Sequence, residues 1–183
     1  MAVGSAPAVV CLGFFDGVHR GHLALIDAGR SVADRENWIL CVHTFDHAPS
    51  PKGSELTGLP ERRRLLLAAG ADKVAVSAFD EKFRQMSGEE FFRRVVLEKL
   101  HARHVVCGDD HRFGYRGAWD AAALQAMCRE AGIGCTVVPP VTLSGGLRIS
   151  STAVRNALAA HDWALAEEML GRKVPEEMKK AFP

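Results

Sequence analysis

The stretch Ala8-Val9-Val10-Cys11-Leu12-Gly13-Phe14-Phe15-Asp16-Gly17-Val18-His19-Arg20-Gly21-His22 decides the fold. It opens on an apolar run, Ala8–Phe15, with little polar alternation, the pattern of a strand covered on both faces. Glycines follow at positions 13, 17 and 21, and a segment of helical period, His22–Arg35, comes next. A strand, a glycine-bearing turn and a helix make the first unit of a parallel α/β sheet. The rest of the chain repeats this alternation. Candidate strands are Trp38–Phe45, Lys73–Phe79, His104–Asp109 and Cys135–Val141, with candidate helices Pro60–Ala69, Gly88–Leu100 and Ala118–Ala131 between them. Ser87 and Glu90 read as a capping box, Pro60 as a first helical position, and Gly70 and Gly132 as helix stops. Two short helices, Ser151–Ala159 and Asp162–Leu170, end the pattern without another strand, the second capped by Asp162 and stopped at Gly171. The expectation is a single α/β domain over 1–183, a parallel sheet of about five strands with helices on both faces.

Composition narrows the function. The 183 residues carry 23 Lys+Arg against 22 Asp+Glu, a net charge of +1. That balance argues against a broad electrostatic grip on nucleic acid, which needs many phosphate contacts. The run Arg62-Arg63-Arg64 looks basic, but it opens an amphipathic helix without interleaved aromatics and reads as structural rather than as a nucleic-acid contact. Phe91, Phe92, Val95, Val96 and Leu100 read as a core stripe. Five isolated cysteines, at 11, 41, 107, 128 and 135, read as reduced, buried thiols. No apolar stretch has membrane length, and the N-terminus lacks a basic leader region. The expected compartment is the cytoplasm, with neither membrane nor nucleic acid as a partner.

In parallel sheets ligands bind beyond the carboxyl ends of the strands, so the loops there carry the chemistry. After the first strand, His19 and His22 stand three apart at a helix start and can face one side. The helix N-terminus adds unpaired N–H groups and a positive dipole end, a ready anion site. Taken bare, two histidines at this spacing are more often surface polar residues than catalysts. A zinc reading lacks an adjoining Glu and a third ligand. No P-loop and no GxGxxG fingerprint is present. Late in the chain, Arg148-Ile149-Ser150-Ser151-Thr152-Ala153-Val154-Arg155 precedes a helical run. One hydroxyl there is explained as an N-cap. Three in succession, with Arg155 four residues beyond Ser151, suit a polyphosphate. Between them lies Gly108-Asp109-Asp110-His111-Arg112-Phe113-Gly114, whose carboxylates, arginine and aromatic suit a planar phosphorylated ligand or a plain solvated loop.

Gly13–His22 resembles the signature loop of the HxGH nucleotidyltransferases, and Phe15–His22 is especially similar to the FAD synthetase branch. The late segment resembles that family's SSTxIR motif, with Val154 in place of Ile, and the middle loop its GDDFRFG motif, with His111 in place of Phe. Thr44-Phe45-Asp46-His47-Ala48-Pro49 stands where the family commonly reads TFEPHP, with the histidine one residue early. The resemblance implies a Rossmann-like nucleotidyltransferase fold and a reaction of ATP with FMN giving FAD and pyrophosphate. His19, His22 and Arg155 would be catalytic. Gly13, Phe14, Phe15, Asp16, Gly17, Gly21, Arg148, Ser150, Ser151 and Thr152 would bind ATP. Thr44, Asp46, His47, Asp109, Asp110, Arg112 and Phe113 would border the flavin. Mg²⁺ would enter with ATP, with no protein metal site. The family's bacterial members continue past an LGR segment, here Leu170-Gly171-Arg172, into a riboflavin kinase module. That module is expected to be absent, with FMN supplied by a separate riboflavin kinase. Two alternatives stay open: a related transferase using CTP or another phosphorylated acceptor, and a non-catalytic flavin-nucleotide binder.

Overall fold

The computed structural model describes residues 6–49 and 55–182. Along the chain run β1 (Ala8–Leu12), α1 (Arg20–Glu36), β2 (Ile39–Phe45), α2 (Leu59–Ala68), β3 (Lys73–Ser77), α3 (Glu81–Arg84) and α4 (Gly88–Phe91). β4 (Ala102–Gly108), β5 (Arg112–Phe113), β6 (Trp119–Asp120), α5 (Ala121–Glu130) and β7 (Gly134–Val138) follow. The chain then closes with α6 (Ser151–Ala159), α7 (Trp163–Leu170) and α8 (Glu176–Lys180).

Every residue of β1 is buried, which is why its sequence shows no alternation. It lies at the centre of a parallel sheet ordered β3-β2-β1-β4-β7. One face packs Val9, Cys11, Leu40 and Val42 against Ile26, Val32 and Ala33 of α1 and Leu66 of α2. The other packs Val10, Leu12, Val105 and Cys107 against Phe91, Phe92, Val95 and Val96, and against Leu124 and Cys128 of α5. A third, smaller cluster joins Leu56 to Ile149, Val154, Leu158, Met169, Leu170, Val174 and Met178 at the end of the chain. Four of the five free cysteines are buried and Cys135 is half-buried. Among the described residues no helix is long and apolar enough to cross a membrane.

Several boundaries differ from the sequence reading. β1 stops at Leu12 rather than Phe15, because Phe15 takes a φ of 60° and leaves the sheet. α1 begins at Arg20, ahead of the expected His22, with His19 as its cap. The segment from Gly88 is α-helical only to Phe91 and π-helical over Phe92–Lys99, closing with Leu100 N–H donating to the Val95 carbonyl at 2.9 Å. The apolar positions do not distinguish those two windings. Ser87 accepts the Glu90 N–H as expected, yet the Glu90 carboxylate pairs with Arg94. α5 starts at Ala121, because Trp119-Asp120 pairs antiparallel with Arg112-Phe113 and Asp120 then caps the helix. Pro60 sits second in α2, behind Leu59. The β5–β6 hairpin, α3 and α8 were not expected.

Trp119 closes against the start of α4, where a Cβ on Gly88 would lie 2.4 Å from its Cγ and Cδ2 atoms. Gly88→Ala therefore overpacks a rigid ring and should cost about 1–3 kcal/mol, measured as a lowered urea midpoint at unchanged slope.

Candidate active site

The strand order reverses beside β1: β2 and β3 lie to one side, β4 and β7 to the other. At such a switch point the loops beyond neighbouring strands splay apart and leave a crevice. Here the loops after β1 and β4 border a cavity of about 400 Å³, closed on its far side by the segment leading into α6. Gly13, Phe14, Asp16, His19, Gly21, His22, Gly108, Asp109, Asp110, Arg148, Ser150, Ser151, Thr152 and Arg155 all border it. The three motif segments thus meet in one place.

The first loop is tightly turned, with positive φ at Phe15, Gly17 (81°) and Val18 (41°). At Gly17 a side chain would also strike Leu56, its Cδ1 lying 2.7 Å from an added Cβ. The turn sets His19 as the cap of α1, its Nδ1 accepting the His22 N–H at 3.4 Å. With Nδ1 used as an acceptor, the proton of the neutral ring belongs on Nε2. The His22 ring stacks on it, centroids 3.6 Å apart and planes 16° from parallel. An added Cβ on Gly21 would lie 3.1 Å from the His19 ring, so any larger residue there would push that ring aside by a few tenths of an ångström. Burial pushes His19 down to about 4, helped by the positive Arg172. Burial also holds His22 well below the ordinary histidine range, with His19, Arg172 and Arg62 adding to the effect. Both rings are neutral near pH 7, and Nδ1 of His22 is buried without a partner. A polyanion delivered to this position would repay the missing hydrogen bond and draw protons onto the rings.

Asp16 knots the walls together. It is 2% exposed, and one carboxylate oxygen accepts the N–H groups of Leu56 (2.8 Å) and Thr57 (3.1 Å). The other is paired with Arg155, and its backbone carbonyl accepts the Ser151 hydroxyl at 2.9 Å. Burial raises the Asp16 carboxyl, opposed by Thr57, Arg155 and Leu56. Ser150 is the cap of α6, accepting the Ala153 N–H, while Thr152 stands exposed at the rim. Arg148 leaves a short bridge between Thr142 and Arg148 and reaches across to Asp109 (2.6 Å) and Asp110 (3.1 Å). The late segment is therefore tied to the β1 loop by Asp16 and to the β4 loop by Arg148.

A second cavity, about 760 Å³, adjoins the first along Gly13, Phe14, Pro49, His111 and Arg112. Its walls are aromatic: Phe45, Phe79, Phe83, Phe91, Phe113 and Tyr115, with His43 among them. Nε2 of His43 is hydrogen-bonded to the Ser77 hydroxyl at 2.9 Å. Burial pushes His43 down to about 3 and His111 to about 4. The His111 ring lies nearly parallel to Phe113, centroids 5.6 Å apart, and its Nε2 is buried without a partner.

Not every sequence candidate reaches these cavities. Thr44 is buried with its hydroxyl donating to the Phe14 carbonyl at 2.7 Å. Asp46 accepts the N–H groups of His47 and Phe79 and pairs with the exposed His47, so both staple the loop after β2. Ala48 and Pro49 reach the first cavity instead, and Phe15 is a core residue. Arg62, from the basic run read as structural, turns inward. It is fully buried, lies 4.2 Å from the Phe14 ring centroid, and donates to the Thr57 and Phe45 carbonyls. The spacing of Arg62 to the buried Leu66, one helical turn on, is the signal that marked its inward side.

Two outcomes follow from this arrangement. Asp16→Ala removes the carboxylate from Arg155 and leaves the Leu56 and Thr57 N–H groups without their acceptor, so urea denaturation should report a loss of about 3–5 kcal/mol. The depressed histidines bind fewer protons folded than unfolded, so stability present above pH 6.5 is lost as pH falls from there toward 4. Thermal unfolding between pH 7.5 and 4.5 measures this, and a midpoint that stays flat until the carboxylates titrate contradicts it.

The FAD synthetase family model matches residues 3–153. A bifunctional riboflavin kinase/FMN adenylyltransferase of Pseudomonas fluorescens is 38% identical over 170 residues, covering 90% of this chain and 54% of that protein. The protein of that name from Escherichia coli K12 is 36% identical over 169 residues, covering 89% of this chain and 54% of its own length. The chain thus spans about half the length of the curated relatives it matches. The crystal structure of a macrolide-efflux protein from Streptococcus pneumoniae aligns with a TM-score of 0.81 at 27% identity, covering 93% of this chain and 58% of that one. With the matched region holding the whole sheet, both histidines and the first turn of α6, the chain belongs to the FAD synthetase family.

Proposed function

We propose that this chain transfers the adenylyl group of ATP to FMN, forming FAD and pyrophosphate. The observation that carries the reading is the pair of adjoining cavities at the strand switch point. One is lined by hydroxyls, a helix N-terminus and two imidazoles, and the other by aromatic rings. A dinucleotide with one flavin half suits that division. The triphosphate would lie along His19, His22 and the α6 N-terminus, and the isoalloxazine among Phe113 and its neighbours. The residues paired across the first cavity, Arg155 with Asp16 and Arg148 with Asp109, would then position the walls and present their outer faces to phosphate oxygens.

An oxygen of the FMN phosphate attacks the α-phosphorus of ATP in line. The new P–O bond forms as the bond to the α,β-bridging oxygen breaks, and pyrophosphate leaves with that electron pair. Charge grows on the non-bridging oxygens and on the leaving oxygen. Imidazole N–H donors held ready in a water-poor site stabilise such charge without reorganisation. Orientation of the two substrates supplies the rest, and no covalent enzyme intermediate is needed. The carboxylates bordering the cavity are engaged, Asp16 by Arg155 and Asp109 and Asp110 by Arg148. A Mg²⁺ accompanying ATP would therefore be held by phosphate oxygens and water rather than by a protein cage.

The lone buried Nε2 of His111 calls for a hydrogen-bonding acceptor substrate. Isoalloxazine carbonyls and ring nitrogens meet that demand, and another polar phosphorylated acceptor would meet it too. A riboflavin kinase must supply the FMN. The compartment is read as the cytoplasm, where five unpaired thiols stay reduced.

The test incubates the purified chain with MgATP and either FMN or riboflavin and separates the products by chromatography. FAD from FMN and nothing from riboflavin is expected, and absence of FAD from folded, ATP-binding protein sinks the assignment. His22→Ala should lower turnover roughly 100–1,000-fold; a change of only a few-fold in a folded variant removes His22 from the transition state. Arg155→Ala should weaken ATP binding and stability together, because it also uncovers the buried Asp16 carboxylate.

A further inference from the structure

The turn that sets His19 and His22 is strained. Phe15, Gly17 and Val18 have φ of 60°, 81° and 41°, and a β-branched residue at positive φ is a genuine outlier. Such a conformation persists only where its surroundings over-determine it. The Gly17 and Val18 carbonyls of that turn need donors.

They find them in Arg172. Its Nη2 donates to the Gly17 carbonyl at 2.6 Å and its Nη1 to the Val18 carbonyl at 2.8 Å. This residue comes from the opposite end of the chain, and its own place is fixed on both sides. Gly171 ends α7 with φ 71°, its N–H donating to the Glu167 carbonyl at 2.8 Å. Beyond it, Lys173 pairs with the Glu167 carboxylate, which also accepts the Val174 N–H, and Val174 is buried in the third cluster. The Gly171 backbone also abuts the first turn of α1, where an added Cβ would meet Arg20 Cγ at 3.2 Å. A rigid fork aimed at two carbonyls from a doubly anchored stem is a clamp on the turn.

We propose that Arg172 is a positioning residue of this site: by holding the Gly17 and Val18 carbonyls it sets where the His19 and His22 rings meet a bound triphosphate. The inference rests on the nucleotide reading of the first cavity. A second consequence is electrostatic. The guanidinium binds carbonyls, so its charge stands behind the imidazoles and opposes their protonation. The groups facing His19 are Arg172 and His22, and those facing His22 are His19, Arg172 and Arg62. A lysine at 172 keeps the charge without the fork, whereas glutamine keeps neither.

The experiment measures MgATP affinity by titration calorimetry, FMN affinity by quenching of flavin fluorescence, and histidine titration by NMR, in wild type, Arg172→Lys and Arg172→Gln. Arg172→Gln should weaken MgATP by about tenfold while FMN affinity stays within about twofold. It should also raise the titration of His19 and His22. Arg172→Lys should weaken MgATP by about threefold or more and leave the histidine titration low. A folded Arg172→Gln that binds MgATP within about twofold of wild type overturns the proposal. So does equal weakening of MgATP and FMN, the mark of a merely structural loss. If Arg172→Gln does not fold, Arg172→Lys decides, and unchanged MgATP affinity there overturns it. Wild type that binds MgATP but makes no FAD refutes the adenylyltransfer reading and leaves this test intact; wild type that binds no MgATP refutes both.

Discussion

The buried carboxylate of Asp16 is the constraint on which the site depends. A charge taken out of water is tolerated only with full hydrogen bonding and a close counter-charge. Asp16 obtains these from two segments far from it in the chain: the N–H groups of Leu56 and Thr57, and the guanidinium of Arg155. Satisfying one side chain therefore draws the β1 loop, the entry to α2 and the first turn of α6 to one point. The first turns of α1 and α6 border the cavity beside it, and the positive ends of both are available to a ligand rich in negative charge.

Around this knot the protein keeps its imidazoles neutral and underused. His19 and His22 are stacked, and a second proton on such a pair is opposed by the first. His22 and His111 each hold a buried nitrogen without a partner, one beside the polar cavity and the other between the two cavities. Unpaired buried polar atoms cost stability. Here both lie where a ligand with phosphate and polar ring atoms would complete them, which is the common pattern of a site that trades stability for recognition.

Much of this was legible in the sequence because burial on both faces leaves a clear mark. The five apolar runs were strands, the parallel order followed from their spacing by helices, and the three glycine- and hydroxyl-rich loops converge. What escaped lay in tertiary detail. The hairpin of β5 and β6 has two residues per strand, too short for any period to register. The inward place of Arg62 was not singled out, because a charge run hides which member points inward. Thr44, Asp46 and His47 were placed near the flavin by likeness of motif, but the strand end turns their side chains to backbone and to one another. The clamp on the Gly17–Val18 turn could not be read at all, since an arginine near the end of the chain carries no local sign of the carbonyls it meets.

The small third cluster of apolar residues has a kinetic consequence. It holds the α6–α8 end of the chain and Leu56, and it is separate from the two clusters that cover the sheet. Elements packed on a satellite core open at lower free energy than a central parallel sheet. Late segments that dock on a preformed sheet also fold last, since their contacts close the longest loops. The polar cavity is thus a property of the docked tail: amide hydrogens of α6 and α7 should exchange ahead of those in β1 and β4. Each such opening would dissolve the pocket while most of the molecule stays folded, and a ligand bridging both walls would slow it.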